Sequence, residues 1–310
     1  MAVRVRVRSL AKINLDLRVL NRRPDGFHEL RTIFQTISLA DSIEIEYGRG
    51  STRVDIKSDL NISDNIIEKA AHSILRATGR TGRIGFVLRK RIPLGGGLGG
   101  GSSNAASVLL ALPALLGKAL PLEKLIQLAS ELGSDVPFFL LGGTAAGVGR
   151  GTELYPLTDF PKRPVLLVAP GVHVSTASAY QALGRTRESE PARAPSDFLS
   201  VAWGASEAWT NDFERVVFSL HPQLKSIQGK LRKLGARTAL MSGSGSCIFG
   251  IFESHEKRDR AAVSFRADFP GYEVHPVTMV SRGQYRALWR RQLAAFVDSN
   301  LWPLQDRYAK

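Results

Sequence analysis

One glycine-rich stretch has the residues needed to hold phosphate. It consists of Pro93, Leu94, Gly95, Gly96, Gly97, Leu98, Gly99, Gly100 and Gly101, followed by the hydroxyls of Ser102 and Ser103. An apolar strand pattern at 84–88 precedes this loop, and a helical pattern at 105–116 follows it. Bare amides beside a helix N-terminus bind anions, because the N–H groups and the helix dipole both favour negative charge. The flanking strand and helix therefore favour a phosphate-binding loop over a flexible linker.

Two better-known phosphate loops do not fit this stretch. Gly95, Gly97 and Gly100 satisfy the dinucleotide fingerprint, but a Rossmann unit needs a second strand that ends in an acidic residue about 20 residues later. Residues 120–132 have helical spacing instead. A Walker A loop has a lysine before its terminal hydroxyl residue, and no lysine precedes Ser102 here. The sequence therefore indicates a third type of phosphate loop.

Three further segments support such a loop. They read AKINL at 11–15 with RPDGFHEL at 23–30, LGSDVPFF at 132–139, and SGSGSC at 242–247. Together with PLGGGLGGGSSNAA at 93–106, they resemble the GHMP kinases, the family of galactokinase, homoserine kinase and mevalonate kinase. Within that family, the expanded loop is similar to members that phosphorylate a cytidyl diphosphate sugar alcohol. Because four motifs occur in the family's order over most of the chain, the resemblance is specific.

The resemblance implies an α+β fold of two domains with the active site in the cleft between them. Residues 1–160 would form a domain like ribosomal protein S5 domain 2, and residues 161–290 a ferredoxin-like domain. The proline-punctuated stretch 159–164 is the expected joint. Residues 291–310 are an extension to which the sequence assigns no role. The sequence pattern alone predicts only a mixed α+β chain.

Local patterns predict several elements. Alternating Val and Arg at 3–8 indicate a half-buried strand, and strands and loops alternate up to about residue 56. A helix is expected at 65–77, with Ser63 or Asp64 as its N-cap. The polar, proline-containing segment 185–196 predicts a mobile surface loop. From residue 281 a basic helix is expected, with one apolar face made by Tyr285, Leu288, Trp289, Leu293, Phe296 and Val297.

Lys12 and Asp135 are the catalytic residues that the resemblance implies. Phosphoryl transfer to an alcohol needs in-line positioning, charge neutralisation and a base for the hydroxyl proton. Asp135 would be that base, and Lys12 would keep it ionised and polarise the hydroxyl. The apolar neighbours at 11, 13 and 15 predict that Lys12, Asn14 and Asp16 share one strand face. Without the resemblance, an edge-strand lysine and a turn aspartate explain the same residues.

On the donor side, the resemblance implies ATP bound by residues 93–103, with Mg²⁺ as its metal. Ser102 or Ser103 would contact the metal or a phosphate oxygen, and the residue types leave that choice open. Asn65 and Lys90 are further candidates for the adenosine. The turn Gly243, Ser244 and Gly245 would close over the phosphates, although a turn between two apolar strands is also typical of a simple hairpin.

On the acceptor side, the resemblance implies a site made by Asn14, Phe27, His28, Thr176 and Tyr180. An aromatic ring can stack on a cytosine, and a histidine can bond to its edge. Family members commonly carry tyrosine where this chain has Phe27, a change that keeps the ring and removes its hydroxyl. For Tyr180, a second stacking face and a core aromatic are equally good interpretations. Asn14 would hold the sugar-alcohol or phosphate end.

Composition limits the class of protein. The chain has 310 residues and a net charge of +14, spread in small groups without a zinc-binding, RNP or helix-turn-helix pattern. Positive charge also attracts polyphosphate ligands, so we expect no nucleic-acid partner. The single cysteine, Cys247, is expected in the core of a protein from a reducing compartment. With no apolar run of about 18 residues and no signal-peptide core, the sequence predicts a cytoplasmic protein. We expect it to be a monomer or a homodimer.

Two other functions stay open from the sequence. One is a GHMP kinase for another alcohol, such as homoserine or a sugar; the pair Phe27–His28 and the long glycine loop argue against it. The other is a nucleotide- or RNA-binding module without catalysis, and the presence of both Lys12 and Asp135 argues against that one.

Overall fold

Helices packed on two β-sheets make up the computed structural model, which describes residues 2–60, 65–184, 186, 198 and 208–296. Its strands are β1 (Val3–Arg22), β2 (His28–Gly48), β3 (Arg53–Ser58), β4 (Arg83–Arg89), β5 (Thr144–Gly149), β6 (Glu153–Pro156), β7 (Pro164–Ala169), β8 (Thr238–Met241), β9 (Ile248–Ile251) and β10 (Glu273–Thr278). Its helices are α1 (Ile66–Thr78), α2 (Gly100–Leu115), α3 (Leu122–Leu132), α4 (Phe138–Leu141), α5 (Thr176–Leu183), α6 (Glu214–Leu220), α7 (Pro222–Lys233), α8 (His255–Asp268) and α9 (Arg282–Leu293). The predicted α+β class is confirmed.

The first sheet is built around β2. Its strand order is β3-β4-β2-β5-β6, and β1 pairs with β2 in antiparallel fashion over most of both strands. The strand predicted at 3–7 is therefore only the start of β1, which continues through Lys12. In its first part the alternation is as expected, because Val5 and Val7 are buried while Arg4 and Arg6 pair with glutamates of β2.

The second sheet is antiparallel with the order β10-β7-β9-β8. If β7 to β10 are renumbered 1 to 4 along the chain, their order in the sheet is 4-1-3-2, which is the ferredoxin-like arrangement. The predicted turn at 242–247 is the β8–β9 connection, so it is indeed a hairpin turn. A role of this turn in the site requires that it also contact the glycine loop.

Three apolar cores hold the sheets and helices together. The first lies between the first sheet and helices α1 to α4, and includes Phe86 and Val108. The second joins the two sheets, with Ile13 and Ile33 from one sheet packed with Phe249 from the other. Burial of each such side chain contributes about 1.5–3 kcal/mol. The third includes Leu17 of β1 and Val168 of β7. Because β1 contributes to all three cores, the strand that carries Lys12 is fixed to both sheets.

The helix predicted from residue 281 is α9, and it packs into the first core. A capping box at Ser281 and Gln284 begins it. Tyr285, Trp289 and Leu293 are fully buried there, and the Tyr285 hydroxyl donates to the Phe139 carbonyl at 2.5 Å. The last helix of the predicted second domain thus completes the core of the first. The domain limits 1–160, 161–290 and 291–310 stay a prediction.

Some predicted boundaries differ from the structure. Helix α2 begins at Gly100, five residues before the predicted start at 105, because glycines are tolerated in the first turn of a helix that is buried along most of its length. The N-cap of α1 is Asn65, whose side chain accepts from Ile67 N. Ser63 and Asp64, the predicted caps, lie outside the described residues. So do Val297 and, except for Thr186, the loop predicted at 185–196.

Candidate active site

The glycine loop lies between β1 and the N-terminus of α2. Gly99 directly precedes the helix in the left-handed conformation (φ 66°), and no described side chain caps the helix there. First-turn amides of a helix have no partner within the helix, so they are available to an anion. Lys12 N donates to the Leu98 carbonyl at 3.0 Å, which places the loop against the strand that carries Lys12.

The β8–β9 turn packs directly on this loop. The Ser242 hydroxyl donates to the Gly97 carbonyl at 2.9 Å, and Cys247 N donates to the Gly96 carbonyl at 3.3 Å. A Cβ on Gly97 would lie 2.0 Å from the Ser242 carbonyl oxygen, so only glycine fits there. The side-chain amide of Asn211 donates to the Gly243 carbonyl at 2.7 Å and so fixes the turn. The turn therefore contacts the loop, as the resemblance implies.

Lys12 and Asp135 form an ion pair. Lys12 Nζ lies 3.2 Å from Asp135 Oδ2 and donates to Asn14 Oδ1 at 2.7 Å. β1 pairs only with β2 among the named strands, but Lys12 is buried, so it is not an exposed lysine that protects a sheet edge. Asp135 lies in the turn between α3 and α4 and its side chain is 34% exposed. An accessible carboxylate can accept a proton from an alcohol, and the buried ammonium beside it stabilises the negative charge.

A β-bulge separates Asp16 from this pair. Asn14 pairs with Phe34 but Asp16 pairs with Ile33, so β1 has one extra residue between them. The extra residue reverses the alternation, and the prediction that Asp16 shares the face of Asn14 is therefore wrong. The Arg18 guanidinium donates to Asp16 at 2.8 Å, and burial raises the pKa of the Asp16 carboxyl.

A cavity of about 840 Å³ lies beside the ion pair. It is lined by the predicted acceptor residues Phe27, His28, Thr176 and Tyr180. The His28 and Tyr180 rings stack, with centroids 4.7 Å apart and 18° between their planes. Tyr180 therefore forms part of the cavity wall, and its ring also makes a T-shaped contact with Phe213. Burial, with a smaller effect of the Asp135 charge, raises the pKa of Tyr180 to about 12, so the phenol is neutral at physiological pH.

Arg150 is the site residue that sequence reasoning missed. It follows β5, lines the acceptor cavity, and places its guanidinium carbon 3.6 Å from the centre of the Phe27 ring. Phe27 is 48% exposed, so this cation covers part of an otherwise accessible ring. Arg150 belongs to none of the four motifs. Its only signal in the sequence is its place in the glycine-flanked GVGRG, which is too common to predict a site.

A smaller cavity of about 190 Å³ connects the glycine loop with the acceptor cavity. The described residues that line both cavities are Leu30, Asp135, Arg150, Thr176 and Tyr180. Lys12, Asn14, Gly97, Gly99, Gly243 and Ser244 line the smaller one. The Thr176 and Ser244 hydroxyl oxygens are 2.9 Å apart at its edge. Asp135 thus lies between the predicted donor and acceptor sites.

Three predicted donor-site residues have other partners. The Ser103 hydroxyl is buried and donates to the Leu10 carbonyl at 2.6 Å, so Ser102, which is half-buried, is the better placed of the two serines. The Lys90 ammonium is buried against Asp41 and Asn104, and a contact of this residue with the adenosine stays a prediction. Asn65 caps α1 and stays a candidate for the adenosine.

Neither a metal cluster nor a membrane helix occurs in the part of the chain that the structure describes. There, no three His, Cys, Asp or Glu side chains lie close enough together to hold a metal ion. Nor does any helix in those residues have the length and apolar character needed to cross a bilayer.

Phosphoryl transfer to a small molecule needs a phosphate-binding element, a carboxylate beside it and a cavity for the acceptor, and this site has all three. Residues 65–143 match the GHMP kinases N terminal domain, and residues 192–271 match the GHMP kinases C terminal family. The chain belongs to the GHMP kinase family, whose phosphate donor is ATP.

Relatives within this family are similar over most of the chain. The 4-diphosphocytidyl-2-C-methyl-D-erythritol kinase of Solibacter usitatus is 52% identical over 312 residues, which cover 97% of each protein. The protein of the same name from Thermus thermophilus is 42% identical over 83% of this chain and 91% of its own length.

Solved structures confirm the predicted two-domain kinase fold. A crystal structure of 4-(cytidine 5'-diphospho)-2C-methyl-D-erythritol kinase matches with a TM-score of 0.75 and 39% identity, covering 89% of this chain and 100% of that one. Homoserine kinase from Cytophaga hutchinsonii matches with a TM-score of 0.67, 20% identity and coverage of 90% and 95%. The second likeness concerns the fold alone.

Proposed function

We propose that this chain transfers the γ-phosphoryl group of ATP to the 2-hydroxyl of 4-diphosphocytidyl-2-C-methyl-D-erythritol, a step of the non-mevalonate isoprenoid pathway. The observation that carries the proposal is the aromatic cavity of Phe27, His28 and Tyr180, which opens beside Asp135. Stacking of a base on an aromatic side chain is worth about 1–3 kcal/mol. The relative that is 52% identical has the same activity in its name.

The acceptor has three parts, and the cavity offers chemistry for each. Its cytosine would stack on the aromatic wall, with His28 bonding to the base edge. Its diphosphate would meet Arg150, because a guanidinium binds two phosphate oxygens at once. The sugar alcohol would then extend into the smaller cavity toward Asn14 and Asp135.

On the donor side, the amides of residues 95–102 would hold the ATP phosphates, with Ser244 and its neighbouring glycines closing over them. Ser102 supplies a hard oxygen donor in the first turn of α2, which fits Mg²⁺. When it is bound to a nucleotide, Mg²⁺ takes most of its ligands from phosphates and water. The metal would neutralise charge on the phosphates.

The chemical step uses Asp135 and Lys12. The acceptor's 2-hydroxyl oxygen forms a bond to the γ-phosphorus, the bond between that phosphorus and the bridging oxygen breaks, and ADP leaves. Asp135 takes the hydroxyl proton. Lys12, held by Asn14 at 2.7 Å, supplies positive charge beside the carboxylate and the transferred group. We place this reaction in the cytoplasm and assign it to a monomer or a homodimer.

A coupled assay of ADP release tests the proposal. The protein is incubated with ATP, with and without Mg²⁺, and with the cytidyl acceptor, homoserine or mevalonate. We expect turnover with the cytidyl acceptor that depends on Mg²⁺, and none above background with the other two. Turnover with homoserine or mevalonate alone would overturn the choice of acceptor while leaving the kinase class intact.

A further inference from the structure

Asp41 is a buried carboxylate behind the glycine loop. It belongs to β2, and its exposed fraction is 0%. Its oxygens accept from Arg91 N at 2.8 Å, from Ile92 N at 2.9 Å and from Asn104 Nδ2 at 2.9 Å. The Lys90 ammonium is its fourth donor. A buried charge is stable only when it is paired and hydrogen-bonded, and Asp41 meets both conditions.

The partners of Asp41 lie on both sides of the phosphate loop. Arg91 and Ile92 lead into the loop, whereas Asn104 lies in the second turn of the helix that follows it. Lys90 Nζ adds a second connection, since it also donates to Asn104 Oδ1 at 3.1 Å. One side chain therefore ties together the entrance and the exit of the loop.

The same network reaches the catalytic strand. Asn104 Nδ2 donates to Ser9 Oγ at 2.9 Å, and Ser9 Oγ donates to Ser103 Oγ at 2.8 Å. The Ser103 hydroxyl then donates to the Leu10 carbonyl at 2.6 Å. Leu10 precedes Lys12 by two positions in β1, so the network connects the loop with the strand of the ion pair.

We propose that Asp41 is a positioning residue for ATP: it holds the phosphate loop in its binding conformation without touching the nucleotide. Glycines lose more conformational freedom on ordering than other residues, so a loop of glycines has to be fixed at its ends. Asp41 does this through two backbone amides on one side and Asn104 on the other. The inference rests on the phosphate-binding role proposed above for residues 95–102.

The test measures ADP binding by titration calorimetry, which needs no acceptor and is independent of which alcohol is phosphorylated. The variants are Asp41→Asn and the double variant Asp41→Asn with Lys90→Met. The double variant removes the buried cation that the single change leaves unpaired, a defect that is itself strongly destabilising. We expect the ADP dissociation constant and the KM for ATP to rise about tenfold, the effect of losing about 1.4 kcal/mol of binding. The KM for the acceptor should stay unchanged.

Asp159→Asn is the matched control. Its half-buried carboxylate also accepts from two backbone amides, Thr144 N at 3.0 Å and Arg282 N at 2.7 Å, but its partners belong to β5 and α9. We expect Asp159→Asn to lower stability and to leave ADP affinity unchanged. If the Asp41 variants do not fold, Ser9→Ala breaks the network while keeping the ion pair, and it should also weaken ADP binding. Wild-type ADP affinity in a folded Asp41 variant or in Ser9→Ala, or an equal loss in Asp159→Asn, would overturn the proposal.

Discussion

Lys12 Nζ and Asp135 Oδ2 lie 3.2 Å apart where the two cavities meet. The lysine comes from the first strand and the aspartate from a turn after the third helix. Asn14 holds the ammonium on its other side. Since Lys12 is buried, its charge needs these two oxygens, and the Phe34 ring, whose centre is 5.4 Å from Nζ, adds a cation–π contact. The pair therefore depends on the packing of β1 against the glycine loop and on the α3–α4 turn.

Replacing Asp135 by Asn should slow transfer strongly and leave nucleotide binding intact. The amide keeps the size of the side chain but cannot take the hydroxyl proton, so we expect kcat to fall about 10²–10⁴-fold. ADP affinity, measured by calorimetry, should stay within experimental error of the wild type. Survival of most of the activity would mean that another group is the base.

Tyr180 should act through its ring and not through its charge. Tyr180→Ala should raise the acceptor KM about 5–150-fold, since base stacking is worth about 1–3 kcal/mol. Tyr180→Phe keeps the ring and should change that KM little. Because burial raises the folded-state pKa from 10.0 to about 12, the contribution of the neutral phenol to stability is complete below pH 10 and is lost as the pH rises through 12. Unfolding measured against pH should therefore show a loss of stability in this window that is smaller in Tyr180→Phe, because the buried Tyr285 and Cys247, whose pKa values are also raised, remain in the variant.

Arg150 should affect the acceptor and not ATP. We expect Arg150→Ala to raise the acceptor KM about tenfold or more, because a charged partner of a phosphate contributes about 1.5–3 kcal/mol. Arg150→Lys should recover only part of the loss, since an ammonium cannot bind two oxygens in the same bidentate way. An Arg150→Ala enzyme with a normal acceptor KM and a raised ATP KM would instead place Arg150 on the donor side.

Gly97 and Gly171 form a matched pair for testing contact between the loop and the β8–β9 turn. Both have positive φ, 73° and 71°, so alanine strains the backbone equally at the two positions. Only at Gly97 would the new Cβ collide, at 2.0 Å from the Ser242 carbonyl oxygen, whereas Gly171 faces open space. Gly97→Ala should therefore weaken ADP binding strongly, and Gly171→Ala should leave it unchanged. Equal effects would show that strain alone is responsible.

Trp289 tests whether α9 is part of the first core. Its side chain is completely buried there, so Trp289→Ala should lower the free energy of unfolding by about 3–5 kcal/mol. Denaturant titration followed by circular dichroism measures that loss. A change of less than about 1 kcal/mol would mean that the helix contributes little to the first core.

The sequence predicted the parts of the site that are carried by motifs. The glycine loop, Lys12, Asp135 and His28 lie around the two connected cavities as expected. Motifs identify these residues because their chemistry restricts the residue types and the spacing. The strand pattern also correctly predicted the exposed arginines at the start of β1.

What the sequence left out depends on three-dimensional packing. The bulge that turns Asp16 away has no local signal, because apolar residues alternate straight through it. Lys90 carries the charge expected of a nucleotide ligand, yet only the fold shows that Asp41 neutralises it. Arg150 lies in the site because β5 pairs with β2, which brings Arg150 next to Phe27. Such pairing between distant segments cannot be predicted from the pattern of a single sequence.

Analysis of the product tests the central proposal most directly. The protein is incubated with ATP, Mg²⁺ and 4-diphosphocytidyl-2-C-methyl-D-erythritol, and the product is examined by ³¹P NMR and mass spectrometry. We predict a new phosphomonoester on the 2-hydroxyl, an intact cytidyl diphosphate and one ADP for each product molecule. An unmodified acceptor, or a phosphate on any other hydroxyl, would contradict it.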